Sequence, residues 1–345
     1  MNLPPAASAL AFVATRALAR FPARRPAPLA SAVACATLAL ATAVPAFAQS
    51  FPSRPVRMIV GFPPGGATDL VARILQPKFA DAFGQQVVVD NRPGANGVIS
   101  LEILSRSDAD GHSVAFGHIG NLIISPTIQK VPYDPYKSFE PIGMMVTLQN
   151  IMIVHPSVQA KSLKDLIALA KAKPGQINYA TSGIGSPGHL ATVLFETMTG
   201  TSLNHIPYKG GGPALTDLIG GQVPMFTAVI STAVPQVQAG KARALAVTGL
   251  KRSDALPDVP TVAEAGVPGY QATNWYGLIA PAKTPKAAIT RFHKDMVAAL
   301  NLADVRQQLK DRGIEAAPGT PEEFTRFVRE EEKRWTPIIR KGKFE

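Results

Sequence analysis

From residue 56 onward, short β-branched runs alternate with amphipathic segments, and this alternation limits the possible folds more than any other feature of the chain. "VRMIVGF" (56–62), "QVVVDN" (86–91) and "SVAFGH" (113–118) read as strands. Between them fall a helix from about Asp69 to Phe83 and another around Val98–Ser105. Strands spaced by helices predict parallel α/β layers. Pro77 is expected to bend or interrupt the first helix. The plan restarts mid-chain. Ser162 and Asp165 form a capping box ahead of "LKDLIALAKAK", closed by Pro174-Gly175. Strand "INYAT" (177–181), a glycine-rich loop "TSGIGSPG" (181–188) and a helix follow, with Leu190, Val193, Leu194 and Met198 on one helical face. Strand "LNHIPY", helix "PALTDLIG" and strands "VPMFTAV" and "ARALAVTG" complete this half. A Pro-rich segment (253–269) leads to "NWYGLIAP", a strand returning to the first layer. Two helices then close the chain. The last is capped by Thr320, Pro321 and Glu323 and carries a core stripe of Phe324, Phe327, Val328, Trp335, Ile338 and Ile339.

The first 48 residues differ in kind. They hold Arg16, Arg20, Arg24 and Arg25, no acidic residue, an apolar stretch from about Leu29 to Val44, and Ala46-Phe47-Ala48. That is the pattern of a secretory signal peptide cleaved after Ala48. The competing reading is a membrane anchor, but a spanning helix wants about 20 apolar residues and this one is interrupted by Pro45. Cleavage leaves 297 residues, takes four arginines away and lowers the formal charge from +11 to +7. No dense basic run with interleaved aromatics remains, which argues against nucleic acid. The single cysteine, Cys35, lies in the signal, so thiol catalysis, thiolate zinc sites and iron–sulfur clusters are excluded from the mature chain.

A strand, a Gly/Pro loop carrying hydroxyls and a helix recur at 56–83 and 177–199, as if two lobes faced each other across a cleft. Helix N-termini carry unsatisfied N–H groups and partial positive charge, and glycines let an anion approach them. Thr68, Thr181, Ser182 and Ser186 add hydroxyls; helix capping and turn formation account for the same residues without a ligand. Gly183-x-Gly185-x-x-Gly188 matches a dinucleotide fingerprint, which keeps an NAD(P)-dependent oxidoreductase in view. Pro187 inside the motif and the lack of an acidic residue in "LNHIPYK" count against it. No G-x-S-x-G elbow or H-E-x-x-H pair occurs, so hydrolase and metal readings have no motif. His189 at a helix start is a candidate donor to a ligand, and His118, beside Gly117 and Gly120, a weaker one.

"GFPPGGATD" (61–69), "NRPGANG" (91–97), "YATSGIGSPGHL" (179–190), "HIPYKGGGPALTDLIGGQV" (205–223), "KARALAVTG" (241–249), "LPDVPTVAEAG" (256–266) and "WYGLIAPAKTP" (275–285) together resemble the Bug proteins. These are the TctC-type extracytoplasmic receptors of tripartite tricarboxylate transport systems. The resemblance spans essentially the whole mature chain, in order. It implies a type II periplasmic-binding-protein fold: two α/β lobes with mixed sheets, joined by crossover strands near Asn150–Val154 and Gln271–Gly277 around a ligand cleft. Lobe 1 would take residues 49–152 and 275–345, and lobe 2 residues 153–274. The implied ligand is a small carboxylate held largely by main-chain amides and water, with no cofactor. The implied partners are membrane permease subunits or a sensor kinase, and the implied state is a monomer. Carried over by position, lobe 1 would supply Phe62, Pro63, Gly65, Gly66, Thr68 and Asp69. Asp69 would act at the helix start or through water, since like charges repel. Lobe 2 would supply Thr181, Ser182, Gly183, Gly185, Ser186 and His189, with Tyr208, Lys209 and Gly210 at the rim. Where some family members carry an acidic residue for a ligand amine, this chain has Ala228, which favours an uncharged or anionic distal group.

Overall fold

A computed structural model describes residues 51–342 and 344; the signal-peptide segment and Cys35 lie outside the described residues. The chain opens with β1 (Val56–Val60), α1 (Ala67–Phe83), β2 (Val87–Asn91), α2 (Val98–Ser105) and β3 (Ser113–His118). β1 pairs in parallel with both β2 and β3, as the alternation predicts. Helix α1 runs unbroken through Pro77. A π-type turn (Gly120–Ile124) and the short α3 (Ser125–Ile128) lead to β4 (Phe139–Val154), a 16-residue strand that the sequence pattern did not isolate.

The second half contains α4 (Leu163–Ala172), β5 (Asn178–Thr181), α5 (Pro187–Thr199), β6 (Asn204–Pro207), α6 (Gly211–Ile219), β7 (Met225–Val229), α7 (Ile230–Gln238) and β8 (Arg243–Val247). Here β5 lies parallel to β6 and β7. The chain returns through β9 (Thr273–Pro281), which runs antiparallel to β3, to α8 (Lys286–Asn301), α9 (Ala303–Lys310), β10 (Ile314–Gly319) and α10 (Pro321–Lys341). The two expected closing helices are therefore three, with β10 among them pairing antiparallel to β4. Leu190 and Val193 are buried as expected, but Met198 is 40% exposed; α5 turns Ala191 and Phe195 inward instead.

β4 belongs to both sheets. It pairs with β9 as far as Gln149, opposite Thr273, and from Asn150, opposite Val229, it pairs with β7 and β8. The buried Thr248 hydroxyl sits where the partners change: it accepts from Asn150 N (2.8 Å) and donates to Ala272 O (2.6 Å), tying the two interlobe crossings together. Ligand-competent loops follow the carboxyl ends of β1, β5, β6 and β7, the usual location for sites in open α/β sheets.

The core is continuous across the crossing. Phe324, Val328, Trp335 and Ile339 of α10 pack in one cluster with Trp275 of β9 and with Leu190 and Phe195 of α5. Both capping boxes form as expected, at Ser162/Asp165 and Thr320/Glu323. Within α10 the buried Glu331 carboxylate accepts from two indoles, Trp335 Nε1 (3.0 Å) and Trp275 Nε1 (3.3 Å). Replacing Glu331 by Ala strands both N–H groups in the core. The expected loss is about 2–4 kcal/mol, read as a lower midpoint in urea unfolding; an unchanged midpoint would refute this role.

Candidate functional site

The loop after β1 is held from behind. Asp69, 2% exposed, accepts from Gly65 N (2.9 Å) and Arg73 Nε (2.9 Å) on one oxygen and from Asn91 Nδ2 (2.9 Å) on the other. Asn91 Nδ2 also reaches Phe62 O (3.0 Å). Burial pushes the Asp69 carboxyl upward, but the hydrogen bonds from Arg73, Gly65 and Asn91 outweigh it and hold the group below its ordinary value. Gly65 has φ +81°, a left-handed backbone that favours glycine. Asp69 is thus a brace for the loop and does not line the cleft.

The loop after β5 is braced in the same manner. Thr181 Oγ1 pairs with His205 Nε2 (2.7 Å) and accepts from Gly183 N (3.2 Å). Ser186 Oγ accepts from His189 N (3.3 Å), capping α5. His189 Nδ1 accepts from Gly185 N (3.2 Å), and its ring stacks on His205 with centroids 3.8 Å apart. His189 lines a separate cavity with Tyr179, Glu196 and His205, away from the interlobe space.

Between these loops lies a small inner cavity, with about 30 Å³ of free space. Four helix starts meet on it: Gly66, Ala67 and Thr68 of α1, Pro187 of α5, Gly211 of α6, and Val229 and Thr232 of α7. Three of them, at Gly66, Gly210 and Val229, have no side chain capping the first turn. Uncapped starts also occur at α8 and α9, so the distinction here is convergence on one space. First-turn N–H groups aimed together make a positive site without a cation.

Two buried side chains complete the lining. His118, 1% exposed, accepts from Gly120 N through Nδ1 (3.0 Å), so the neutral ring carries its proton on Nε2, which has no partner. Burial lowers His118 to about 3. Asn274, fully buried, accepts from Trp275 N through Oδ1 (2.8 Å), leaving Nδ2 without a hydrogen bond of good geometry although the Tyr276 hydroxyl is near. Burial pushes Tyr276 up to about 12, against the hydroxyl of Thr68 beside it. No acidic side chain lines this cavity.

Phe62 and Ser182 line both the inner cavity and a wider groove of about 540 Å³, which also includes Pro63, Gly183, Tyr208, Lys209 and Gly210. Across this groove the lobes touch. Asn96 Nδ2 donates to Gly185 O, and Gly185 lies against Ile124 and Ile128. A Cβ added at Gly210, where φ is +120°, would stand 2.9 Å from Pro63.

Of the residues singled out from sequence, Phe62, Gly66, Thr68, His118 and Ser182 meet at the inner cavity, and Pro63, Gly183, Tyr208, Lys209 and Gly210 line the groove with Phe62 and Ser182. Gly65, Asp69, Gly120, Thr181, Gly185, Ser186 and His189 support the loops from behind or at the lobe contact. Ala228 is packed in the second sheet's core, and its neighbour Val229 reaches the cavity instead. Sequence reading missed Asn96, Asn274, Tyr276 and the start of α7. A lone Asn in the apolar run "NWYGLIAP" was the available signal for Asn274. Among the described residues, no cluster of three His, Cys, Asp or Glu forms a metal site, and no helix is long and apolar enough to cross a membrane.

Two sheets sharing a strand, with opposed loops around an anion-compatible cavity, define a two-lobed periplasmic-binding type of receptor. The sequence pattern of the tripartite tricarboxylate transporter family receptor, TctC, matches residues 71–343, and the chain belongs to this family. It is similar to the periplasmic binding protein BugD (36% identity, TM-score 0.80, covering 84% of this chain and 98% of that one). An R. palustris protein with adipate is 35% identical, with TM-score 0.82 over 84% and 97% of the two chains. MatC from Rhodopseudomonas palustris, with bound malate, is 31% identical, with TM-score 0.80 over 84% and 100%.

Asn96→Ala removes a hydrogen bond of about 1 kcal/mol between the lobes, so small-angle scattering of the free protein should show a larger radius of gyration; no change would mean the contact is not limiting. His118 is neutral when folded down to about pH 3, whereas an unfolded histidine binds a proton below about pH 6.5. Its folded pKa is lowered, so its contribution is present above 6.5 and is lost as pH falls toward 3. At full effect the slope is about 1.4 kcal/mol per pH unit. His118→Gln should flatten stability against pH between 6.5 and 4.5, and an identical slope in both proteins would refute the assignment.

Proposed function

We propose that this protein is an exported, non-enzymatic receptor that captures a small carboxylate between its two lobes and presents it to the membrane components of a tripartite tricarboxylate-type transporter. The lobes divide as residues 49–152 with 275–345 and residues 153–274, and closure occurs about the β4 and Ala272 crossings. The observation that carries the reading is the convergence of uncapped helix starts on one cavity free of acidic side chains, whose lining includes buried His118, with Nε2 unpartnered, and buried Asn274 beside the Tyr276 hydroxyl. A buried donor without a partner is costly, and a carboxylate oxygen is an acceptor that relieves it. The family and the adipate and malate of its structural neighbours support the same chemistry.

An NAD(P)-dependent oxidoreductase is less well supported. In this closed arrangement the fingerprint glycine Gly185 is covered by Asn96, Ile124 and Ile128, where a pyrophosphate would need to approach. A receptor that serves a sensor kinase would share the capture step and differ only in its partner.

Native mass spectrometry of freshly purified protein, then a thermal-shift screen of carboxylates, tests the reading, since a ligand that binds only the folded state raises its melting temperature. Stabilisation by sugars or nucleotides and by no carboxylate would sink it. Asn274→Ala is expected to weaken a stabilising carboxylate about ten-fold, the worth of one charge-assisted hydrogen bond. Because the His118 ring donates as a neutral group, affinity should be flat between pH 8 and 6. A ten-fold rise on acidification through 6.5 would instead identify an imidazolium partner.

A further inference from the structure

The inner cavity's free space of about 30 Å³ holds about two waters, each needing about 10–15 Å³. Two waters occupy roughly what the two oxygens of one carboxylate occupy. With the lobes in this arrangement, the remainder of any larger ligand must therefore lie outside the inner cavity. The adjoining groove, with about 540 Å³ and the shared residues Phe62 and Ser182, is the space available to it. That volume is in the range of ordinary small-molecule pockets.

The side-chain donors among the residues lining the groove are Lys209 and the neutral Asn96, Gln129, Ser182 and Tyr208. Pro63, Pro93 and Pro207 offer no N–H, and Ile128 and Ile184 add aliphatic surface. Ile184 is 42% exposed on the loop after β5. The Tyr208 hydroxyl is engaged with Asp217 (2.7 Å), and Asn96 Nδ2 with Gly185 O. Lys209 is the one charged side chain among the residues lining the groove. A second carboxylate placed here would give up its hydration for one ammonium and few neutral donors. An apolar group gains on leaving water and asks for no partner.

We infer that the preferred ligand is a monocarboxylate with a ring-sized or branched apolar tail, its head in the inner cavity and its tail in the groove against Ile128, Ile184 and the prolines. The inference rests on the carboxylate reading and adds the ligand class: Ile128 and Ile184 select the tail, and Lys209 is dispensable for it.

Isothermal titration calorimetry of the purified protein with acetate, phenylacetate and adipate tests this. Phenylacetate should bind about ten-fold or more tightly than acetate, the factor supplied by burying about two methylenes' worth of surface, and more tightly than adipate. Ile184→Ala should weaken phenylacetate roughly five-fold more than it weakens acetate. The inference is overturned if adipate binds more tightly than phenylacetate and Lys209→Gln erases that advantage, for the groove then serves a second anion. It is equally overturned if Ile184→Ala affects acetate and phenylacetate alike. In both of those cases carboxylates still bind and the receptor reading stands. If none of the three acids binds, the carboxylate reading itself fails and the tail inference with it.

Discussion

Everything in this molecule is arranged around one strand that serves two sheets. β4 exchanges β9 for β7 and β8 within a single peptide step, between Gln149 and Asn150. The Thr248 hydroxyl binds that step to Ala272, so the two routes between lobes are locked at one level. Because β5, β6 and β7 run parallel to one another, with β7 antiparallel to β4, their carboxyl ends lie on one side and open toward the carboxyl end of β1. The helices that follow those strands therefore begin facing one another. The convergence of helix starts is a consequence of strand direction, and it needs no dedicated cationic side chain.

That origin explains the chemistry of the cleft. An Arg or Lys at the bottom of a closed cavity would carry a desolvation cost whenever the site was empty. Backbone N–H groups and the neutral donors of His118, Asn274, Thr68 and Ser182 carry a smaller one. The charged pair behind the first loop is architectural: Arg73, with the neutral amide of Asn91, satisfies Asp69, and Asp69 in turn holds Gly65. Behind the opposite loop, the His189–His205 stack plays the corresponding part, His205 being lowered to about 4 by burial.

The repeated strand–loop–helix units were legible because hydrophobic periodicity and Gly/Pro punctuation are local signals. β1 to β3, α4, α5 and the capping boxes all follow from residues a few positions apart. β4 was not legible as one element, since its two halves face different sheets and Pro141 and Gly143 interrupt its pattern at bulges. β10 was lost for a similar reason: a short strand ending in Pro-Gly pairs with a partner more than 160 residues away, opposite Met144–Leu148. At the site, the glycines and hydroxyls of the two loops could be named from sequence, but their division into lining and bracing residues could not. Asp69 sits at the helix start, where charge repulsion from a carboxylate places it, whereas Thr181 and His189 look like ligand residues by type and stand behind their loop. Asn274 and Asn96 reach the cleft from segments distant in sequence, with nothing local to mark them.

The reliance on main-chain donors has a consequence for how such a receptor changes over time. A peptide N–H persists through almost any substitution that keeps the loop's shape, so on the proposed reading the main-chain share of the grip on an anionic head survives exchange of side chains, while the share of His118 and Asn274 does not. On the proposed reading, the surface that would meet the rest of a ligand is made of side chains such as Ile128, Ile184 and Lys209, and the shape of the loops does not dictate their identity. Affinity for the head and choice of tail are thereby encoded in different parts of the polymer, one in its backbone and one in its sequence. Such a scaffold can acquire a new diet without first surrendering its grip.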